Sequence, residues 1–209
     1  MYVKDYMSDD LITITPDTTL IKAHDLMKSH DINRLPVVTE GSLVGLVTQQ
    51  LLAKNLPSSS TSLSAHEVNY LLEKTQVKDI MDKHYLTCQP DSLLEQAAMQ
   101  MRTNNVGALL VIQDEELKGI ITEKDIFKAF VELQGFGQPG KTFVVELSED
   151  RSGVIKEIGT ILYNQQLNVT NMVVYQNEII RILIHVDSTP SKENIEAFKD
   201  AGYLVKLIA

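Results

Sequence analysis

The feature that most constrains the fold of this 209-residue chain is an internal repeat at an offset of 74 residues. The segment Val3-Lys4-Asp5 returns as Val77-Lys78-Asp79, and 15 of the 50 positions from 3 to 52 are identical to those 74 residues later. No gap is needed to keep this register. A register shared over that length predicts two copies of one structural unit.

Each copy has the pattern of a β-α-β-β-α unit. In the second copy, short apolar runs at 109–112 and 117–121 predict strands, and a helix is predicted from Glu123 to about Leu133. One such unit cannot bury both faces of its short strands. The two copies are therefore expected to pack their sheets together as one pseudo-symmetric domain.

The rest of the chain has a different pattern. After the breaker at 134–140, which is rich in glycine, the order of predicted elements is β-α-β-β-α-β, the order of a ferredoxin-like split sandwich. The predicted fold class is thus α/β (α+β). The expected boundaries are residues 1–54 for the first repeat, 55–76 for an insertion with a short helix, 77–133 for the second repeat, 134–141 for a linker, and 142–209 for the C-terminal domain.

One motif of the second repeat suits a nucleoside phosphate. The sequence Gly119-Ile120-Ile121-Thr122-Glu123-Lys124-Asp125 lies where a predicted strand meets a predicted helix. The start of a helix attracts phosphate, Thr122 adds a hydroxyl, and the Asp125 carboxylate can accept from both hydroxyls of a ribose. Thr122 and Asp125 equally fit a capping box that only starts the helix, and the residues alone leave both interpretations open.

With this motif in its second copy, the chain resembles the CBS-domain family over about residues 1–132, in both copies of the repeat. The Met7 and Met81 segments and the Thr-x-x-Pro-x-x-x-hydrophobic stretches also match. The resemblance implies that AMP, ADP, ATP or S-adenosylmethionine binds between paired units, with phosphate at Thr122 and ribose at Asp125. It also implies an adenine border formed by Thr87, Cys88, Pro90, Val106, Gly107 and Ala108.

Two cationic residues are candidate phosphate ligands. Arg34 precedes a predicted strand of the first repeat, and Lys124 lies at the start of the predicted helix. Either residue can instead be a solvated surface charge. The first copy has Leu51 where the second has Asp125, and leucine cannot accept from ribose hydroxyls. We therefore expect one competent site per chain.

The C-terminal domain resembles the ACT domain over about residues 142–209. The resemblance is carried by the β-α-β-β-α-β order and by the turn at 150–153 before the first helix. It implies an amino acid or other small ligand near that turn, where two domains pair, with Asp150, Gly153, Asn168 and Asn171 as candidate ligand-binding residues. The alternative is that Asp150 and Gly153 only form the turn and that the asparagines tolerate strained backbone.

Composition argues against several classes of function. The net charge is −9 and the sequence lacks a block rich in Lys and Arg, so binding to nucleic acid is not expected. One cysteine, five scattered histidines and the lack of a nucleophile motif predict neither a metal site nor an enzyme. No run of 18 apolar residues occurs, which predicts a cytoplasmic protein away from the membrane.

The arrangement as a whole resembles the acetoin-utilisation AcuB-type proteins of bacteria. It implies a non-catalytic regulator, without a required cofactor, that senses an adenosine ligand and acts as a homodimer. Two alternatives remain from the residues: an interaction scaffold whose cleft binds nothing, and an amino-acid sensor that acts through the C-terminal domain. A third, enzymatic, alternative would require turnover of the bound compound.

Overall fold

The computed structural model describes residues 1–55, 74–147, 149 and 151–208. The helix predicted within the insertion lies mostly outside these residues. The chain divides into two compact units, Met1–Ile126 and Phe127–Ala209. The predicted fold class is confirmed: the first unit contains two like halves, and the second has a four-stranded sheet with helices.

The first unit is built around a five-stranded sheet in the order β1-β2-β5-β4-β3. Its elements are α1 (Leu20–Ser29), β1 (Arg34–Thr39), β2 (Ser42–Thr48), α2 (Gln49–Asn55), β3 (Thr87–Cys88), α3 (Leu94–Asn104), β4 (Ala108–Gln113), β5 (Glu116–Thr122) and the start of α4 (Glu123–Leu133).

The 74-residue offset of the sequence recurs in the backbone. Arg34 pairs with Thr48 in the first hairpin, as Ala108 pairs with Thr122 in the second. Each hairpin has one register shift, at Val37/Val38 in the first and at Val111/Ile112 in the second. Equivalent residues therefore occupy equivalent positions, and the two halves can be compared residue by residue.

Periodic apolar residues explain the helices and strands of each half. Leu20 and Ala23 of α1 are fully buried against Leu35 and Val37 of β1. This spacing places the apolar residues of the helix on one face. Thr19 caps α1 by accepting a hydrogen bond from the backbone N–H of Lys22 at 3.4 Å.

The two halves are interlocked through their first residues. The backbone N–H of Val3 donates to the Ser92 carbonyl at 3.0 Å, and the N–H of Val77 donates to the Thr18 carbonyl at 2.8 Å. Further along, Ser8 pairs with Ile120 of the other half. The opening segment of each repeat thus packs on the other repeat. Residues near the end of β5 and the start of α4 are therefore surrounded by both repeats.

Gly45 and Gly119 make room for this exchange. A methyl group at Gly119 would lie 2.8 Å from both the Met7 sulfur and the Ser8 carbonyl oxygen, and one at Gly45 would lie 2.6 Å from the Met81 sulfur. The open face of Gly119 therefore accommodates the opening segment of the other repeat.

The second unit has the strand order β7-β8-β6-β9, with every neighbouring pair antiparallel. Its core lies between this sheet and two helices, where the Phe143 and Phe198 rings meet edge to face at 5.3 Å. The elements are β6 (Lys141–Leu147), α5 (Val154–Asn164), β7 (Val169–Gln176), β8 (Ile180–Val186), α6 (Lys192–Asp200) and β9 (Leu204–Ile208).

Candidate ligand-binding site

The site begins where β5 ends and α4 starts. Asp125 accepts two hydrogen bonds through the same oxygen, Oδ2: one from the Thr122 backbone N–H at 2.8 Å and one from the Thr122 hydroxyl at 2.7 Å. In the first repeat the donor and acceptor positions are exchanged: Thr48 Oγ1 accepts a hydrogen bond from the backbone N–H of Leu51 at 3.1 Å. The carboxylate therefore starts α4, and its Oδ1 accepts from neither group of Thr122.

A cavity of about 330 Å³ opens beside this helix start. Its volume lies at the lower end of the range usual for small-molecule sites. Part of its wall is apolar, and the rest carries charges of both signs. The apolar residues are Leu11, Ile12, Ile32, Pro36 and Ile120, and the polar or small ones are Ser8, Asp10, Asp31, Asn33, Arg34, Gly107, Thr122, Glu123 and Lys124.

The cavity draws its wall from both repeats because of the interlocked opening segments. The pairing of Ser8 with Ile120 carries the extended segment from Ser8 to Ile12 onto the second repeat, beside Thr122. Arg34 and Pro36 come from β1 of the first repeat. Four of the five apolar lining residues thus belong to the first repeat, whereas the helix start belongs to the second.

Arg34 lies across Gly107, the point where the wall has no side chain. A methyl group at Gly107 would lie 2.6 Å from Arg34 Nη2 and 3.2 Å from Glu123 Oε2. Arg34 is half-buried, and Lys124 on α4 is exposed. Two cations therefore line the same cavity as Thr122. Three carboxylates line it as well, those of Asp10, Asp31 and Glu123.

The adenine border expected from the resemblance stays a prediction. Of the six residues predicted there, only Gly107 lines the cavity. Thr87 and Cys88 form β3, which pairs with β4, and the Pro90 carbonyl accepts from the Lys4 backbone N–H at 2.9 Å. The exchange of opening segments brings the start of the first repeat to the same cavity as Thr122.

Val106 and Ala108, which complete that predicted border, also lie outside the cavity lining, as does Asp125. Val106 donates its backbone N–H to Met101 at the end of α3, and Ala108 is buried in β4 opposite Thr122. Asp125 is half-buried and held behind Thr122 by the two bonds to Oδ2. Arg34, Thr122 and Lys124 line the cavity.

Sequence reasoning missed the lining residues that the first repeat contributes besides Arg34, which are those at 8, 10–12, 31–33 and 36. The tandem repeat itself was a usable signal. Two repeats pack against each other, so a site between them is expected to take residues from both. Local sequence pattern does not reveal which copy supplies which side, because that depends on pairing between Ser8 and Ile120, residues 112 positions apart.

The second unit contains a smaller cavity of about 210 Å³ at the start of α5. Gly153, one of the predicted residues, lines it with a φ of +93°. Asp150 lies outside the described residues. The other lining residues are Leu147, Arg151, Val154, Ile155, Lys156, Val174, Ile180 and Ile182.

The two predicted asparagines are engaged elsewhere. Asn168 Nδ2 donates to Asp187 Oδ2 at 2.8 Å, and neither asparagine lines the cavity. Asn171 Nδ2 donates to the backbone carbonyls of Glu132 at 3.3 Å and Leu133 at 3.0 Å. Both amides therefore hold the chain of the second unit itself.

Other chemistry finds little support in the part of the chain that the structure describes. Burial raises the pKa of the Cys88 thiol to about 11, which disfavours the reactive thiolate. Among the described residues, no group of three or more His, Cys, Asp or Glu side chains is arranged to hold a metal ion. None of the described helices has the length and apolarity needed to cross a bilayer.

Comparison with known proteins places the repeats in a family. The sequence profile of the CBS domain matches residues 3–58 and 77–132, more than half of the chain. An uncharacterized protein of Methanocaldococcus jannaschii is 36% identical over 131 residues, which cover 61% of this chain and 46% of that protein. The chain spans about half or less of the length of the longer curated relatives it matches.

Three solved structures share the fold of the repeats. The CBS domain pair of protein MJ0100, in complex with 5′-methylthioadenosine and S-adenosyl-L-methionine, gives a TM-score of 0.52 at 29% identity over 63% of this chain and 97% of that one. CBSX2 in complex with AMP gives 0.52 at 26% identity over 64% and 98%. A Vibrio cholerae protein named for acetoin utilization (AcuB) gives 0.55 at 29% identity over 66% and 98%.

The family match ends at residue 132. The resemblance of residues 142–209 to the ACT domain therefore stays a prediction, although the strand order of that unit is the ferredoxin-like one.

Proposed function

Because this chain belongs to the CBS-domain family, we propose that it is a non-catalytic regulator that binds an adenosine ligand, of the AMP, ADP, ATP or S-adenosylmethionine class, between its two repeats. The observation that carries the proposal is the cavity of about 330 Å³, which joins an apolar wall to a hydroxyl and two cations at a helix start. No cofactor is required. Two of the structural relatives were solved with adenosine ligands, namely AMP in one and 5′-methylthioadenosine with S-adenosylmethionine in the other.

Each part of such a ligand has a matching part of the wall. The adenine ring would pack against the aliphatic side chains of Leu11, Ile12 and Ile32, because burial of its flat apolar faces is favourable. A phosphate would lie at the start of α4, where it meets the Thr122 hydroxyl and the partial positive charge of the helix end. Arg34 and Lys124 would add charge-assisted hydrogen bonds from two sides.

Asp125 would accept from the ribose hydroxyls. It lies just behind the lining, with Oδ2 engaged by Thr122. Ribose binding therefore requires either that Oδ1 accepts alone or that the Thr122 hydroxyl releases Oδ2 and turns to the phosphate. Both routes make the start of α4 sensitive to the ligand.

The regulatory step would act through a homodimer. A ligand changes a conformational equilibrium only by its different affinities for the two states, so we propose that binding favours one geometry of the repeat pair and thereby of the dimer. Small-angle scattering with and without AMP tests this step. An unchanged scattering profile at saturating AMP would oppose it.

A thermal-shift panel with AMP, ADP, ATP, S-adenosylmethionine and NADH tests the binding proposal. One of the first four compounds should raise Tm to a saturating extent, and Asp125→Ala should abolish the rise. Thr48→Ala is the matched control. Thr48 accepts the equivalent hydrogen bond at the helix start of the first repeat, and it does not line the cavity. The variant should lower Tm and keep the ligand-dependent rise.

The same panel separates the alternatives. If no compound raises Tm, the chain is an interaction scaffold and the sensing proposal fails. An enzyme would convert the stabilising compound, which incubation and product analysis would detect.

A second candidate function rests on the cavity of the C-terminal unit. Six aliphatic side chains line it together with Gly153, Arg151 and Lys156, which suits an amino acid with an apolar side chain. The Arg151 guanidinium is already paired with Glu157 at 2.6 Å, so Lys156 would receive the ligand carboxylate. Calorimetry with each of the twenty amino acids tests this, and an absence of heat with all of them would oppose it.

A further inference from the structure

The cavity at the start of α4 carries more negative than positive charge. Three carboxylates line it, those of Asp10, Asp31 and Glu123, against two cations, Arg34 and Lys124. A pocket that selects a nucleoside triphosphate needs the opposite balance, because the charge of each phosphate has to be met by cations or by hydrogen-bond donors. The charge of the wall therefore indicates which group the adenosine ligand carries.

The charged side chains of this wall are available to a ligand. Among the described residues, no ion pair involves any of the five. Opposite charges nevertheless lie close together, since a methyl group at Gly107 would lie 2.6 Å from Arg34 Nη2 and 3.2 Å from Glu123 Oε2. A guanidinium and a carboxylate on either side of one point suit a ligand that bears both a carboxylate and an ammonium group.

The other repeat shows that the fold does not need two of these carboxylates. The counterparts of Asp31 and Glu123, 74 residues away, are the matching amides Asn105 and Gln49. Asp31 and Asn105 share a left-handed backbone, with φ of +52° and +53°. Glu123 and Gln49 each begin a helix. An amide therefore satisfies the local structure at both positions, and the negative charge of Asp31 and Glu123 is left for another role.

We propose that the cavity selects an adenosine derivative with a zwitterionic tail, of the S-adenosylmethionine class, over nucleoside polyphosphates, with Glu123 and Asp31 as the specificity-determining residues. This inference rests on the proposed function and narrows its ligand class. The ligand carboxylate binds Arg34, and the ligand ammonium binds Glu123 on the other side of Gly107. Failure of this selection would leave open which other adenosine ligand binds.

The remaining charges of the wall act in the same direction. Asp10 and Asp31 attract the positive sulfonium of S-adenosylmethionine. Together with Glu123 they repel the further phosphates of ADP and ATP, because like charges placed against each other are unfavourable. AMP has a single phosphate, which Arg34 and Lys124 can meet, so its affinity should lie between those of S-adenosylmethionine and ATP.

Calorimetric titration of the full chain with S-adenosylmethionine, AMP and ATP, the last with and without Mg²⁺, tests the selection. S-adenosylmethionine should bind at least about tenfold more tightly than ATP in both conditions. We expect Mg²⁺ not to reverse the order, because within the described part of the chain these carboxylates do not form a group that could hold a metal ion. 5′-Methylthioadenosine, which lacks the charged tail, measures recognition of the adenosine alone.

Two variants place the amides of the other repeat in the cavity. Glu123→Gln and Asp31→Asn should each lower the preference for S-adenosylmethionine over ATP by about fivefold, the upper end for an exposed charge pair. The affinity for 5′-methylthioadenosine should stay unchanged, which shows that the variants fold. Asp9→Asn is the matched control, because it removes an exposed charge next to Asp10 and outside the cavity lining, and it should keep the preference.

Each other outcome contradicts a defined part of the proposal. ATP that binds as tightly as S-adenosylmethionine, with or without Mg²⁺, would overturn the selection and leave the adenosine site in place. A preference that both carboxylate variants retain, or that Asp9→Asn lowers equally, would overturn the role of Glu123 and Asp31. An absence of binding with all four compounds would overturn the adenosine site and the selection together.

Discussion

At Gly107, the absence of a side chain decides where the Arg34 guanidinium can lie. We expect Gly107→Ala to displace Arg34 from the cavity, because the new methyl group would lie 2.6 Å from Nη2. The side chain is flexible, so the fold should adapt at little cost in stability. Loss of one charge-assisted hydrogen bond to phosphate should weaken AMP binding by about tenfold.

Calorimetric titration with AMP measures this loss. Gly159→Ala serves as the control, since Gly159 lies in α5 of the second unit and has open space around it. It should leave the AMP affinity unchanged. Unchanged affinity in Gly107→Ala would show that Arg34 does not contact the phosphate.

Glu157 makes the free energy of unfolding of the second unit depend on pH in the acidic range. Hydrogen bonds from Arg151 and then from the Tyr203 hydroxyl hold the pKa of Glu157 down to about 2. An unfolded glutamate titrates near 4.3, so the unfolded chain binds the proton more readily between about pH 2 and 4.3. The stabilisation is therefore complete above that window and is lost as pH falls through it.

The measurement is urea unfolding of the protein and of Glu157→Gln between pH 7 and 2.5. The variant should unfold at lower urea at pH 7, and the two midpoints should converge as the pH falls. Glu196→Gln, at an exposed position on α6, is the control and should show no such convergence. A gap between midpoints that stays constant down to pH 2.5 would contradict the assignment to Glu157.

At the scale of the elements, local pattern predicted the strands and helices but not their partners. The runs at 109–112 and 117–121 became β4 and β5, and the helix predicted from Glu123 is α4, because alternation and helical periodicity are local properties. The lining of the cavity and the hydrogen bonds of Asn171 depend on contacts between residues distant in sequence. Glycine at 135 similarly predicts a break, but nothing nearby in sequence reveals that His185 fills the space beside it.

The segment after α4 offers a matched pair of substitutions that tests this packing. Gly135 and Gly137 both have positive φ, +77° and +83°, so alanine at either position costs about 1 kcal/mol for the left-handed backbone. Gly137 has open space around it, whereas alanine at Gly135 would overlap His185. Overpacking should bring the total loss in Gly135→Ala to roughly 3 kcal/mol.

Chemical denaturation of both variants, with the unfolding of the second unit as the monitored signal, checks this difference. Equal losses at the two positions would mean that the segment is not packed on β8.

At the scale of the whole molecule, the two repeats share a backbone but not a chemistry. Of the four residues assigned to phosphate and ribose, Thr122 has an identical counterpart in Thr48. The other three, Arg34, Lys124 and Asp125, have Ala108, Gln50 and Leu51 as their counterparts 74 residues away. A second site built from those counterparts would lack both cations and the carboxylate. The pseudo-symmetric fold therefore predicts two positions for a ligand, and the side chains predict that one of them binds a nucleotide.

The counterpart of Leu11 strengthens this asymmetry. Tyr85 occupies the equivalent position in the second repeat, and its hydroxyl donates to the Leu43 carbonyl at 2.9 Å. A larger ring, fixed by that bond, replaces the aliphatic side chain that lines the cavity near Thr122. Calorimetric titration with AMP should accordingly give one site per chain, and Asp125→Ala should remove the signal rather than half of it. Two equivalent sites, or half of the heat retained in the variant, would mean that the second repeat binds ligand without a carboxylate.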